Sequence, residues 1–325
     1  MNWDRILRHS QLYNLLTRPR HPEQGTIFLS QRRVYILPTS QGLTFALALM
    51  LMLIGSINYN LSLGYVLTFL LAGMAVVSIL HTFRNLAHLR VSAGRVDAVF
   101  AGERALFGLQ LENRRDLPRH SINLACGGLS VTCSIPARQI ETPAVPVLAA
   151  RRGWLQLPRV TIDTRYPLGL FRAWSYVQPE MRAVVYPKPD DSLLPLPQAV
   201  LDSGDAMMAG TGTEDFAGIR QYQPGDPTRQ IAWKAVAKGQ AMLTKVFTGR
   251  ASSELWFDWG ELPGELGTEA RLSRLTRWVL LAHDNGLSYG LKLPGVEIPL
   301  GEGDAQRERC LMQLALHDQD RASVS

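Results

Sequence analysis

The chain has 325 residues, 46% of them hydrophobic and 19% charged, with a formal net charge of +6. Six arginines against two carboxylates in residues 1–40 supply +4 of this, so the remainder carries only +2 and lacks the basic stripe of a nucleic-acid-binding fold. Cys126, Cys133 and Cys310 are odd in number and fit no zinc spacing, and the seven histidines include no paired ligands, so reduced structural thiols are expected, with no cofactor.

Residues 1–38 form an N-terminal segment expected in the cytoplasm. Trp3, Ile6, Leu7, Tyr13, Leu15 and Leu16 stand there among arginines, a pattern suited to an amphipathic helix on a membrane surface. Residues 39–83 predict a transmembrane helical hairpin. No Asp, Glu, Lys or Arg lies between Arg33 and Arg84, a gap of fifty residues (84 − 33 − 1) that a soluble fold of average composition does not leave. Two apolar runs fill it, 42–57 (GLTFALALMLMLIGSI) and 61–80 (LSLGYVLTFLLAGMAVVSIL). A span needs about 20 residues, with about 17 tolerated. The second run meets this, and the first meets it once residues 39–41 are included. Asn58, Tyr59 and Asn60 make a tight polar turn with an interfacial tyrosine. Gly64, Ala72 and Gly73 are small enough for the helices to approach closely. A secretory signal is not expected, because about forty residues precede the first run and no small-residue cleavage site follows it.

Orientation follows from arginine. Six precede the first span, Arg84, Arg90 and Arg95 follow the second, and the turn has none. The positive-inside rule then predicts an inner-membrane protein with both termini in the cytoplasm and the lipid bilayer as a partner. Neither span carries a charge, so a transport or proton-relay role has no residue to carry it.

Over residues 84–190 the pattern changes to period two. Ala105, Phe107, Leu109 and Leu111 alternate with Leu106, Gly108, Gln110 and Glu112, and the alternation recurs at 154–157 and 160–162. Turn signals separate the runs at Ala101-Gly102, 113–118, Gly127-Gly128, Arg152-Gly153 and 167–169. Short strands at this spacing predict an antiparallel β-sandwich of immunoglobulin-like size. Residues 187–197 are proline-rich and read as a linker.

Residues 191–325 read as an α/β domain. Asp226-Pro227 predicts the start of a helix running through Trp233 to Lys238 and stopping at Gly239. Residues 242–247 and 253–258 read as strands, the latter ending in Asp258. Leu272, Leu275, Val279 and Ala282 line one face of a helix, 289–293 return as a strand, and Leu311, Leu314 and Ala315 mark a last helix. Strand–helix–strand order implies a parallel sheet.

One segment is dense in polar and aromatic side chains: Asp215, Phe216, Ile219, Arg220, Tyr222, Gly225, Asp226, Arg229, Ile231, Trp233 and Lys234. It admits two readings. In the first, Asp226 caps a helix, Arg220 and Arg229 pair with Asp215 or Asp226, and Tyr222 and Trp233 pack a junction. In the second, Arg220, Arg229 and Lys234 form an anion site that Asp226 orients. A hydrolase needs a nucleophile, a base and an oxyanion site in mutual reach. Ser252, Ser253, His283 and Asp284 are present, but no nucleophile-elbow pattern surrounds either serine, so no catalytic residue is assigned.

The spacing of that segment, with its phenylalanine, arginine-x-tyrosine, glycine-aspartate and arginine-x-isoleucine-x-tryptophan-lysine, resembles the bacterial "domain of unknown function 58" family. Residues 35–42 (YILPTSQG), the hairpin, Ala101-Gly102-Glu103, Arg152-Gly153 and 167–171 (PLGLF) look like that family too. Tyr166 departs from it, because many members carry aspartate before the proline. The resemblance implies a C-terminal portion similar to a von Willebrand factor A-like domain, whole or truncated. It also implies a MoxR-type AAA+ ATPase and a membrane-bound transglutaminase-like protein as partners, and it brings no established chemistry. A von Willebrand-type metal site would begin Asp-x-Ser-x-Ser; here Trp259, Gly260, Glu261 and Leu262 follow Asp258, so no metal is expected. The expected function is a membrane-tethered, non-enzymatic cytoplasmic adaptor or scaffold. The alternative is an enzyme or anion-binding site at residues 220–234. Arg271, Arg274 and Arg277, opposite the apolar face of their helix, are the expected partner-binding residues.

Overall fold

The computed structural model describes residues 22–192, 196–197, 215–221, 243–248 and 255–318. The expected surface helix before residue 22, and the expected helix at 226–238, lie outside the described residues. Two compact units make up the chain, residues 1–188 with 312–325, and residues 189–311.

The first unit begins with two short strands, β1 (Ile27–Phe28) and β2 (Tyr35–Pro38), which precede the helices α1 (Ser40–Asn58) and α2 (Ser62–Leu86). Eleven strands follow: β3 (Arg90–Ala93), β4 (Val99–Phe100), β5 (Arg104–Glu112), β6 (Arg119–Cys126), β7 (Leu129–Ile135), β8 (Ile140–Glu141), β9 (Ala144–Leu148), β10 (Gly153–Gln156), β11 (Val160–Thr164), β12 (Phe171–Val177) and β13 (Arg182–Tyr186). One sheet runs β1-β3-β5-β8 with β9 also on β5, a second runs β2-β12-β11-β6-β7, and a third runs β10-β13-β4. All their pairings are antiparallel except β13 with β4. The period-two residues Ala105, Phe107, Leu109 and Leu111 are buried, and they join Ile122, Leu124, Val145, Val160, Ile162 and Ala183 in one core. That core draws on all three sheets, because each strand turns alternate side chains to the same face.

The boundary drawn at residue 38 does not separate a segment from a domain. β1 pairs with β3, and β2 pairs with β12 from Tyr35↔Trp174 to Pro38↔Phe171. The hairpin is therefore inserted into the β unit between its second and third strands. The connections are short: Thr39 alone joins β2 to α1, and Ala87, His88 and Leu89 join α2 to β3.

Both helices are long and apolar enough to cross a membrane. At 1.5 Å per residue the 19 residues of α1 extend about 28 Å, close to the hydrocarbon thickness of a bilayer. Leu43, Leu47, Met50, Leu51 and Ile54 on α1, and Leu63, Val66, Phe69, Leu70, Val76 and Leu80 on α2, are exposed. A soluble core helix would bury such side chains. Between the helices lie small and hydroxylated residues, the usual means of close packing in lipid. Ser56, Thr68 and Ser78 are buried, with Ser56 and Thr68 donating to the carbonyls of Met52 and Gly64 four residues back. A Cβ at Gly64 would lie 2.3 Å from Ser56 Oγ, so this glycine is at a close approach as expected. Gly73 is not, because a Cβ there would meet nothing within 4 Å. Asn60, with φ +48°, turns the chain between the helices.

In the second unit β14 (Asp215–Gln221) pairs antiparallel with β15 (Leu243–Thr248). A separate sheet holds β16 (Leu255–Asp258), β17 (Tyr289–Leu293) and β18 (Val296–Gly301). β16 and β17 are parallel, joined through α3 (Thr268–Asp284), which buries Leu272, Leu275, Val279 and Ala282. The turn Pro294-Gly295 then sends β18 back antiparallel to β17, a strand the parallel reading did not include. The closing helix is α4 (Gly303–Leu316). Gln306, buried on it, donates to the carbonyls of Tyr289 at 2.9 Å and Pro299 at 2.8 Å and so fastens the helix to β17 and to the end of β18.

Candidate functional site at the base of the helical hairpin

Sequence motifs far apart in the chain meet where the hairpin enters the β unit. Thr39 caps α1, its Oγ1 accepting from the Gly42 amide at 3.1 Å, and the same hydroxyl lies 2.6 Å from the carbonyl oxygen of Gly169. Gly42 rests on the Leu170 carbonyl so closely that a Cβ would stand 2.1 Å from that oxygen. Gly169 has φ +72°, which favours glycine. The segments 35–42 and 167–171 are thus one contact: a strand pair, a helix cap and a backbone approach that only glycine permits.

Thr82 makes the corresponding bond on α2. Its Oγ1 lies 2.8 Å from both the Ser78 and the Tyr166 carbonyl oxygens. One loop, residues 165–170, therefore touches the start of α1 and the end of α2. One turn further on, Asn85 Nδ2 donates to the His120 carbonyl at 2.7 Å and to Thr164 Oγ1 at 2.8 Å, while its Oδ1 accepts from the His120 amide at 3.1 Å.

Arg119 completes this base. Only 2% exposed, it donates from Nη1 to the Asn85 carbonyl at 2.6 Å, from Nη2 to the Ala87 carbonyl at 3.0 Å and from Nε to Asn113 Oδ1 at 2.9 Å. The last carbonyls of a helix lack partners and carry its negative dipole end, so a cation is favoured there. Burial, and then the neighbouring Arg115, push the Arg119 guanidinium down to about 10, which leaves it charged at neutral pH. A bulge in β6 makes this possible. Its register with β7 shifts between Arg119 and Ile122, so both of these side chains are buried although they stand three positions apart, which in a regular strand puts them on opposite faces. Sequence reading passed over Arg119, because a lone arginine after Leu117-Pro118 looks like part of a surface turn. The buried Asn113 bonds the Leu117 and Pro136 carbonyls and holds that turn.

Beside this base lies a groove of about 460 Å³ lined by Ser121, Asn123, Thr132, Asp163 and Arg165. Within it Asp163 accepts from Asn123 Nδ2 at 3.0 Å and, from beside the groove, from Arg172 Nε at 3.1 Å.

The sequence-predicted residues fall elsewhere. Asp215, Phe216 and Arg220 lie on β14, where Arg220 stands opposite Thr244 and its neighbour Ile219 opposite Lys245. Tyr222, Gly225, Asp226, Arg229, Ile231, Trp233 and Lys234 lie outside the described residues, as do Ser252 and Ser253. Asp258 caps the turn Trp259–Glu261, accepting from the Gly260 amide at 2.7 Å. Among the described residues no three His, Cys, Asp or Glu side chains gather as a metal site. His283 Nε2 lies 3.2 Å from Arg307 Nη1 and 3.5 Å from Asp304 Oδ1.

The three arginines of α3 do not form an open basic face. Arg271 donates to the carbonyls of Leu266 and Pro263, both at 3.1 Å, and lies over the Trp259 ring. Arg274 is 3.6 Å from Asp190 and Arg277 is half-buried. Residues outside the helix fold back onto Arg271 and Arg274, which helical spacing alone could not reveal. The cysteines are free: burial pushes Cys126 up, burial and Glu141 push Cys133 up to about 11, and burial pushes Cys310 up to about 12.

Comparison of the chain with protein-family models, curated proteins and solved structures gives no match.

Proposed function

We propose that this chain is a membrane-tethered, non-enzymatic adaptor or scaffold that holds its β unit in fixed orientation at the cytoplasmic face of the bacterial inner membrane. The observation that carries this reading is the clamp of Thr39, Thr82, Asn85 and Arg119 on the hairpin. Localisation alone needs only a flexible tether. A hairpin inserted within a β unit, with connections of one and three residues and hydrogen bonds from both helices, transmits orientation as well as position.

On this reading the chain is a member of the "domain of unknown function 58" family, its sandwich is immunoglobulin-like, and its second unit is a curtailed relative of the von Willebrand factor A fold. The partner is a MoxR-type AAA+ ATPase, with a membrane-bound transglutaminase-like protein as a further candidate. The docking face is not assigned to Arg271, which bonds the Leu266 and Pro263 carbonyls, or to Arg274, which faces Asp190 at 3.6 Å. The test is capture of a purified MoxR-type ATPase by the full-length chain in detergent or nanodiscs, over a series of salt concentrations. Saturable capture is the expected result. If the ATPase never binds at low salt, with or without nucleotide, the adaptor reading for this partner fails.

A further inference from the structure

Next to the buried Arg119 is a second group of cations that the clamp does not use. His81, Arg84, Arg115, Leu117 and Tyr166 line a pocket of about 60 Å³ at the end of α2, whose inner wall is Asn85 and Arg119 of the clamp. Arg115 reaches the Arg84 carbonyl with Nη1 at 3.3 Å, which brings the two arginines side by side. Among the described residues neither has a carboxylate within ion-pair distance, whereas Arg33, Arg90, Arg114, Arg138 and Arg172 in the same unit all do. Like charges held together without a counterion call for an anion. Burial and the nearby Arg84 both hold Arg115 below its ordinary arginine range, in keeping with an unmet positive charge.

Position along the helix identifies the anion. The uncharged stretch of α2 from Ser62 to Leu80 has 19 residues (80 − 62 + 1) and extends about 28 Å, the thickness of the hydrocarbon layer. His81 and Arg84 follow at once, at the level of lipid phosphates. Thr39 begins α1 at the same level, and the loop that bonds both Thr39 and Thr82 exposes Tyr166 and Leu168, with Leu117 exposed beside the pocket. Exposed apolar side chains interleaved with arginines suit the headgroup boundary, where the apolar part enters the acyl region. A pocket of this size is far below the roughly 300–1,000 Å³ of sites for drug-sized ligands, so it admits one phosphoryl group and no nucleotide.

We propose that His81, Arg84 and Arg115 bind the phosphate of an anionic phospholipid headgroup and so fix the β unit against the bilayer surface. The clamp ties the protein to its own helices; this site ties it to the lipid.

The test uses the full-length chain in nanodiscs of phosphatidylcholine with increasing phosphatidylglycerol, reading melting temperature and lipid retained by native mass spectrometry. Wild type is expected to be stabilised by phosphatidylglycerol and to retain it. Arg84→Gln and Arg115→Gln should each weaken retention about fivefold, the value of one basic residue at an anionic surface. Among the described residues the exposed Arg84 side chain has no bond to lose, so its variant is expected to fold as wild type does. Arg104→Gln is the charge control: it is exposed on β5, eight residues from Glu112, which pairs with the first residue after the helix connection, or about 27 Å along the strand. Equal retention by wild type and Arg84→Gln, or an equal loss in Arg104→Gln, overturns the proposal. Stabilisation by inorganic phosphate in phosphatidylcholine alone, absent in Arg84→Gln and not exceeded by phosphatidylglycerol, overturns the lipid assignment in favour of a soluble anion. These outcomes do not depend on whether an ATPase binds.

Discussion

Arg119 Nη1 donates to the main-chain carbonyl of Asn85 at 2.6 Å, so a buried cation on a sheet closes the end of a membrane-length helix. A carboxylate partner could be lost to protonation, whereas carbonyls keep their dipoles at every pH. The bond therefore couples helix and sheet under all physiological conditions.

Arg119→Met is expected to destabilise the full-length chain by at least about 1–3 kcal/mol, the cost of leaving one buried acceptor unsatisfied, because the Asn85 and Ala87 carbonyls and Asn113 Oδ1 all lose a donor. Arg119→Lys should recover little, because an ammonium cannot reach the Asn85 and Ala87 carbonyls and Asn113 Oδ1 as a planar fork does. A double-mutant cycle with Asn113→Ala should give a coupling of about 0.5–3 kcal/mol. Denaturation in mild detergent followed by tryptophan fluorescence would read it. Independent, additive effects would contradict the arrangement.

The glycines of the hairpin should behave in opposite ways. Gly42→Ala places a Cβ against the Leu170 backbone oxygen and should cost about 1–3 kcal/mol, as overpacking does. Gly73→Ala meets nothing and should be neutral or stabilising by up to about 1 kcal/mol, the helix preference for alanine. Melting temperatures of the two variants side by side decide the point.

The pH dependence of Cys133 has a definite sign. Its folded thiol is pushed up to about 11 against an ordinary value of 9.0, so the folded state holds the proton more tightly. Its contribution to stability is whole below about pH 9 and is lost as pH rises through about 11. Wild type should therefore lose more stability than Cys133→Ser across that window. Parallel curves would show that the thiol is not buried as described.

Topology is open to a labelling experiment. Tyr59, exposed in the turn between α1 and α2, is expected outside the cytoplasm. A cysteine in its place should react with an impermeant maleimide on intact cells, while Cys126, Cys133 and Cys310 should not. Labelling of Cys310 from outside would reverse the orientation.

The hairpin was legible because its signal is local. Fifty residues without a charge and two apolar runs of bilayer length mark two long apolar helices, whatever the rest of the chain does. The alternation at 104–112 and the apolar spacing of Leu272, Leu275, Val279 and Ala282 were legible for the same reason, since a strand or helix repeats its buried face at a fixed period. Other features depended on partners distant in the chain. β1 and β2 are too short to show a period, and they became strands only through pairing with β3 and β12. Arg119 reads as one more surface arginine until a bulge turns it inward and the end of α2 supplies its acceptors. Arg271 and Arg274 read as a free basic face until Leu266 and Asp190 meet them. Composition and periodicity decided which segments are apolar, and where they lie. Only the tertiary structure decided which polar groups are satisfied, because a hydrogen bond needs a partner within about 3 Å and the chain does not announce that partner by its spacing.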